Sequence, residues 1–116
     1  SAHYVASKHG LLGLARAIAL DHAPDGIRAN CVLPGTVDTP MLHRVAGETD
    51  DPAALIAALG VQHPLGRIAN ADEIASVVAF LAGDGAAFIT GAAIPVDGGL
   101  TVPVGGYSAP RPPDVE

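Results

Sequence analysis

The chain has 116 residues and a net charge of −6, with acidic side chains outnumbering basic ones twelve to six. No Lys/Arg cluster is present, which argues against nucleic-acid binding, and no apolar run reaches membrane-spanning length because Arg16, Asp21 and Asp84 interrupt the candidates. The single cysteine, Cys31, excludes an intramolecular disulfide framework and fits a reducing, cytoplasmic setting, and it reads as a small buried hydrophobe on a strand. A chain this short, rich in Ala, Val, Leu and Ile, is expected to leave apolar surface that needs a partner or a further segment.

Residues 4–22 read as a helix. Leu11, Leu14, Ala15 and Ile18 recur at helical spacing, and Gly10 and Gly13 permit close approach of another backbone. More than one apolar face predicts burial on both sides. Tyr4 and Lys8, four apart, share one face a single turn apart. A phenol is ordinarily too weak an acid (pKa ~10) to lose its proton easily near neutrality. A neighbouring ammonium favours the phenolate, and such a pair suits proton exchange with a carbonyl or alcohol oxygen. Pro24-Asp25-Gly26 then turns the chain.

Residues 27–33 read as a strand whose Cys31-Val32-Leu33 centre suits a parallel strand covered on both faces. Pro34-Gly35 ends it, and Pro40 keeps Thr39 out of helix, so 36–40 is expected to be extended or turned. Residues 41–66 are the least regular part, with a short helix over 50–59 opened by Asp50 or Asp51 and Pro52. Such an excursion suits a lid. Residues 70–82 give the clearest helix: Ile74, Val77, Val78 and Leu81 form one stripe, Asn70 and Glu73 suggest a capping box, and Gly83 suits the C′ position. Residues 93–96 read as a short strand left through Asp97-Gly98-Gly99, with Asp97 as a turn-forming side chain. Residues 102–116 form a Pro/Gly-rich tail. The five histidines show no metal-ligand spacing and read as surface or loop residues; no metal site is expected.

Helix, strand, helix, strand is the downstream end of a βαβ series. In order, Tyr4-Val-Ala-Ser-Lys8, Ile27-Arg-Ala-Asn30 with Pro34-Gly-Thr-Val-Asp-Thr-Pro40, Pro64-Leu-Gly-Arg67 leading to Asp72-Glu-Ile-Ala75, and Phe88-Ile-Thr-Gly91 with Val96-Asp-Gly-Gly99 resemble the C-terminal half of a short-chain dehydrogenase/reductase. The resemblance covers residues 1–101. It implies an α/β fold, a partial Rossmann-like doubly wound parallel sheet made of the last two strands and their helices. It implies hydride transfer between a nicotinamide cofactor, NAD or NADP, and a small-molecule alcohol or ketone. Tyr4 is then the general acid/base, and Lys8 binds the nicotinamide ribose and favours ionisation of Tyr4. Pro34, Gly35, Val37 and Thr39 line the nicotinamide pocket, Val37 through its backbone and Thr39 through its hydroxyl. Residues 41–66 become the substrate lid, and the parent protein is expected to be a homo-oligomer.

The family's catalytic Ser and Asn precede the Tyr, and neither stands in this sequence; Ser1 and Ser7 are too close to Tyr4 to serve. The Gly-rich turn that would hold a pyrophosphate is also missing, since Gly98-Gly99 does not open a helix. The chain is therefore expected to be a fragment, inactive in isolation. The competing expectation is a truncated chain without catalysis, acting at most in binding or assembly.

Overall fold

The computed structural model describes residues 1–102. The tail expected over 102–116 lies, beyond Val102, outside the described residues. Among the described residues four α-helices and four short strands follow one another: α1 (Ala2–Asp21), β1 (Cys31–Pro34), β2 (Val37–Asp38), α2 (Pro40–Gly47), α3 (Pro52–Val61), β3 (Ala69–Asn70), α4 (Ala71–Ala82) and β4 (Ala93–Val96). Strand β1 pairs with β4, and β2 with β3. The β2–β3 pair is parallel, with Val37 opposite Ala69. Cys31 N–H donates to Ala92 O and Gly35 N–H to Val96 O, so β1 and β4 also advance in one direction. The mixed α/β, Rossmann-like fold agrees with the sequence reading. The described residues divide into two compact units, 1–33 with 76–94, and 34–75 with 95–102.

In the first unit α1 covers nearly the expected range. A short 3₁₀ turn over Ala23–Asp25 follows, and Gly26 at φ 75° takes the left-handed conformation that reverses the chain. Burial of α1 on both sides is not observed. Only Ala19 is buried, while Leu11, Leu14 and Leu20 are exposed and a Cβ at Gly10 or Gly13 would meet nothing within 4 Å. The apolar faces are there, but the described residues do not cover them.

The expected strand 27–33 begins later, at Cys31, and Leu33 is exposed rather than covered on both faces. The reason for the late start is the partner segment. Residues 89–92 turn at Gly91 (φ 71°), so 27–30 face a loop and use side chains in place of a full ladder. Arg28 donates from Nη2 to Leu81 O at 2.7 Å and from Nη1 to Ile89 O at 3.0 Å. Asn30 Nδ2 also donates to Ile89 O, and Asn30 Oδ1 accepts from Ala92 N–H. The Arg28 guanidinium thus satisfies a carbonyl in the last turn of α4, where a cation also meets the negative end of the helix.

In the second unit the segment 41–66 is more regular than expected, because it holds two helices. Thr39 caps α2, its Oγ1 accepting from Leu42 N–H, and Asp51 caps α3, its Oδ1 accepting from Ala54 N–H. Proline follows each cap. Pro40 does hold Thr39 extended (φ −139°, ψ 158°), but that is the conformation an N-cap needs, so the same restriction opens a helix.

Helix α4 starts close to the expected position. Ile74 and Val77 are half-buried and Leu81 is buried, whereas Val78 is exposed. The capping box is half formed. Glu73 Oε1 accepts from Asn70 N–H at 2.9 Å, but Asn70 Oδ1 accepts from Asp72 N–H in place of Glu73 N–H. Glu73 also takes two bonds from Arg67, at 2.6 and 2.9 Å. Gly83 is not a left-handed C′ residue; at φ −93°, ψ 175° it opens the 3₁₀ turn Asp84–Ala86.

Two measurements check these contacts. Arg28→Ala should cost about 2 kcal/mol, the scale of charge-assisted bonds lost to carbonyls. Lys should restore only part of it, because a single ammonium nitrogen does not reproduce the two separate nitrogens that reach Ile89 O and Leu81 O. Denaturant unfolding reads the difference, and a loss below about 0.5 kcal/mol would contradict the role. The Arg67 guanidinium, then the Asn70 N–H, hold the Glu73 carboxyl down at about 2. Its folded value lies below the ordinary ~4.3, so its contribution is complete above that value and fades as pH falls toward the folded one. Carbon-detected titration at low salt should place the Glu73 midpoint near 2, rising as salt screens this half-exposed pair. An ordinary carboxylate midpoint would remove the pair from the account.

Candidate active site

Tyr4 and Lys8 lie on the first turns of α1. The helical rise carries Lys8 back over the phenol, with Nζ 5.4 Å from the ring centroid, within cation–π reach. Both side chains are exposed. Ser7 Oγ donates to the Tyr4 carbonyl oxygen at 2.7 Å, a local helix bond that keeps this hydroxyl on its own backbone. His3, His9, His22 and His43 are exposed, as expected of surface histidines.

Tyr4 and Lys8 belong to the first unit; Pro34, Gly35, Val37 and Thr39 follow one another in the second. The turn from β1 into β2 is held by its backbone. Gly35 N–H donates to Val96 O at 3.2 Å, Thr36 N–H to His63 Nε2 at 3.1 Å, and Thr36 O accepts from Ala69 N–H at 2.9 Å. Gly35 owes its identity to close approach. A Cβ there would come within 2.7 Å of His63 Nε2 and 3.1 Å of the Asp97 Cα.

The Ala69 N–H bond to Thr36 O, together with the Val37–Ala69 pairing, fixes how β2 presents itself. In a parallel ladder Ala69 bonds the residues on either side of Val37, so the N–H and C=O of Val37 point away from β3. One donor and one acceptor on a single residue fit a carboxamide. Thr39 Oγ1 already accepts from Leu42 N–H, so its own proton remains for donation. The residues present therefore fit the nicotinamide end of a cofactor.

Sequence reasoning missed His63. It lies in a loop, but at 2% exposed it is not on the surface. It follows α3 and bonds back to Leu59 O through Nδ1 at 2.8 Å while its Nε2 faces Thr36 N–H. The available signal was its position four residues after Leu59, at the end of an apolar helix. A cavity of about 230 Å³ lies beside it, lined among others by Gly35, Thr36, Leu65, Arg67 and Asp97. Asp97 behaves as expected of a turn-forming residue, accepting from Gly99 N–H. It also accepts from the backbone and hydroxyl of Thr101, and the hydroxyl bond is the main force holding its carboxyl below the usual range despite burial. Asp38, at the end of β2, is exposed and pairs with His43 Nε2. Among the described residues, no group of three or more His, Cys, Asp or Glu could hold a metal ion, and no helix is long and apolar enough to cross a membrane.

Comparison with known proteins covers the same span as these motifs. Residues 1–101 match the family described as Enoyl-(Acyl carrier protein) reductase. The chain is 42% identical over 99 residues to the rat protein Dehydrogenase/reductase SDR family member 6, covering 85% of this chain and 40% of that protein. It is 47% identical over 98 residues to 3-oxoacyl-[acyl-carrier-protein] reductase FabG of Pseudomonas aeruginosa, covering 84% of this chain and 37% of that protein. The ligand-free aldohexose dehydrogenase of Thermoplasma acidophilum superposes with a TM-score of 0.84 at 42% identity, over 96% of this chain and 45% of that one. The chain thus spans less than half the length of each relative. The family match over residues 1–101 contains both the Tyr–Lys turn and the tightly packed Pro-Gly turn, and the chain belongs to the short-chain dehydrogenase/reductase family.

Proposed function

We propose that the protein carrying this chain is an NAD(P)-dependent oxidoreductase that interconverts an alcohol and a carbonyl, and that residues 1–101 are the C-terminal part of its dinucleotide-binding domain, followed by a tail over 102–116. The observation that carries the reading is the Lys8 ammonium 5.4 Å from the Tyr4 ring centroid on one helix face. Its support is membership of a family whose matched relatives are named dehydrogenases and reductases.

When bound, NAD or NADP supplies or accepts the hydride. In reduction, Tyr4 Oη gives its proton to the substrate oxygen as the carbonyl becomes an alcohol; in oxidation it takes that proton back. Lys8, one turn along the same helix face, binds the nicotinamide ribose hydroxyls. Pro34 and Gly35 wall the nicotinamide, Val37 offers its backbone to the carboxamide, and Thr39 donates its hydroxyl proton. Helices α2 and α3 form the lid over a small-molecule alcohol or ketone, in a homo-oligomer with no nucleic-acid or membrane partner.

A second reading, binding or assembly without catalysis, draws on the exposed leucines of α1. One experiment separates the two. Tyr4→Phe in the intact protein should cut turnover by at least about a hundredfold, the scale of a general acid/base, while cofactor affinity changes little. Lys8→Ala should impair both. Turnover and cofactor affinity are measured for each variant across secondary alcohols and ketones. Near-normal turnover in Tyr4→Phe would overturn the assignment.

A further inference from the structure

His63 bonds to two different parts of the second unit. Its ring is buried, so each nitrogen must find a partner or leave a costly polar atom unmet. Thr36 N–H can only donate, and it points at Nε2 from 3.1 Å. Nε2 is therefore the acceptor, the ring proton sits on Nδ1, and Nδ1 donates to Leu59 O at 2.8 Å. This fixes one neutral tautomer. The imidazolium would present a second N–H to the Thr36 N–H, so only the neutral ring satisfies both contacts. The charged groups lining the adjoining cavity are already engaged elsewhere: Arg67 with Glu73, and Asp97 with Gly99 and Thr101.

The contact is also matched in shape. Gly35 has no Cβ, and any Cβ there would overlap Nε2 at 2.7 Å. A ring held by two hydrogen bonds cannot swing aside to make room. Glycine at 35 and histidine at 63 therefore act as one unit, joining the end of α3 to the Gly35–Thr36 turn.

The geometry points to His63 as a positioning residue for the cofactor turn. It acts through Thr36, whose backbone sets the direction in which Val37 presents its N–H and C=O. The role rests on the reading of Pro34, Gly35, Val37 and Thr39 as the nicotinamide wall. By the same link, the end of lid helix α3 reports directly on the cofactor wall.

The test uses the intact protein with NADH and NADPH as probes. His63→Leu keeps an apolar ring-sized volume but leaves the Thr36 N–H without an acceptor. It should raise the cofactor KM by about tenfold, the scale of a buried donor left unmet, a larger change than its fall in kcat. His63→Gln returns an acceptor at similar reach and should recover most of the KM. A merely structural role would instead lower the active fraction, and hence apparent kcat, at unchanged KM, and would not distinguish Gln from Leu. Hydrogen exchange at the Thr36 amide gives an independent readout: slow in the wild type, faster in His63→Leu and slow again in His63→Gln. An unchanged KM in His63→Leu, equal damage by Leu and Gln, or a fast-exchanging Thr36 amide in the wild type would overturn the role of His63. Absence of cofactor binding by the wild type would overturn the underlying assignment instead.

Discussion

The close approach at Gly35 is the constraint on which the candidate site depends. A histidine ring nitrogen and the Asp97 backbone occupy the space a Cβ would need. That packing is possible only because the turn makes its bonds through the backbone, to Val96, His63 and Ala69. Once the turn is fixed, β2 pairs with β3 in register, Val37 directs its peptide groups outward, and Thr39 reaches the N-cap of α2. A single methyl at residue 35 would collide with the ring and with the Asp97 Cα, and so break the first link of that series.

Magnitudes show what holds the chain together. Fully burying a leucine contributes ~1.5–3 kcal/mol, but among the described residues the buried apolar ones are three alanines and Leu81. Charge-assisted bonds to backbone carbonyls are worth ~1.5–3 kcal/mol each, so a residue such as Arg28 matches a buried leucine in weight. The Tyr4–Lys8 pair is of another kind. Both side chains are exposed, and an ion near an aromatic ring in water gains little. What the helix supplies there is placement, which in the proposed reaction costs nothing further when a substrate oxygen arrives.

Much of this was legible in the sequence, for reasons that differ by element. Helix α4 announced itself through the spacing of Ile74, Val77 and Leu81 and the Asn70–Glu73 pair, and β4 through an apolar run ended by Asp97-Gly98-Gly99. These are local signals with local causes. Helix α2 was missed because Pro40 was read as ending an extended segment, when its restriction of Thr39 is equally the start of a helix. The late start of β1 was hidden because it depends on a partner loop sixty residues away. His63 was read only as one of the surface or loop histidines because nothing near it in sequence shows that Thr36 will deliver an N–H to its ring. Pattern reading finds periodicity and caps; it does not find a long-range contact made by one side chain.

The central claim is that hydride moves between a nicotinamide and a carbonyl carbon on the protein that carries this chain. Incubating the intact protein with NADH or NADPH deuterated at the transferring position of the nicotinamide, together with a panel of ketones, tests it directly. The account predicts an alcohol product with deuterium on the carbinol carbon, in one stereochemical sense. Product alcohol without deuterium at that carbon, or no product from any ketone with either cofactor, would contradict it.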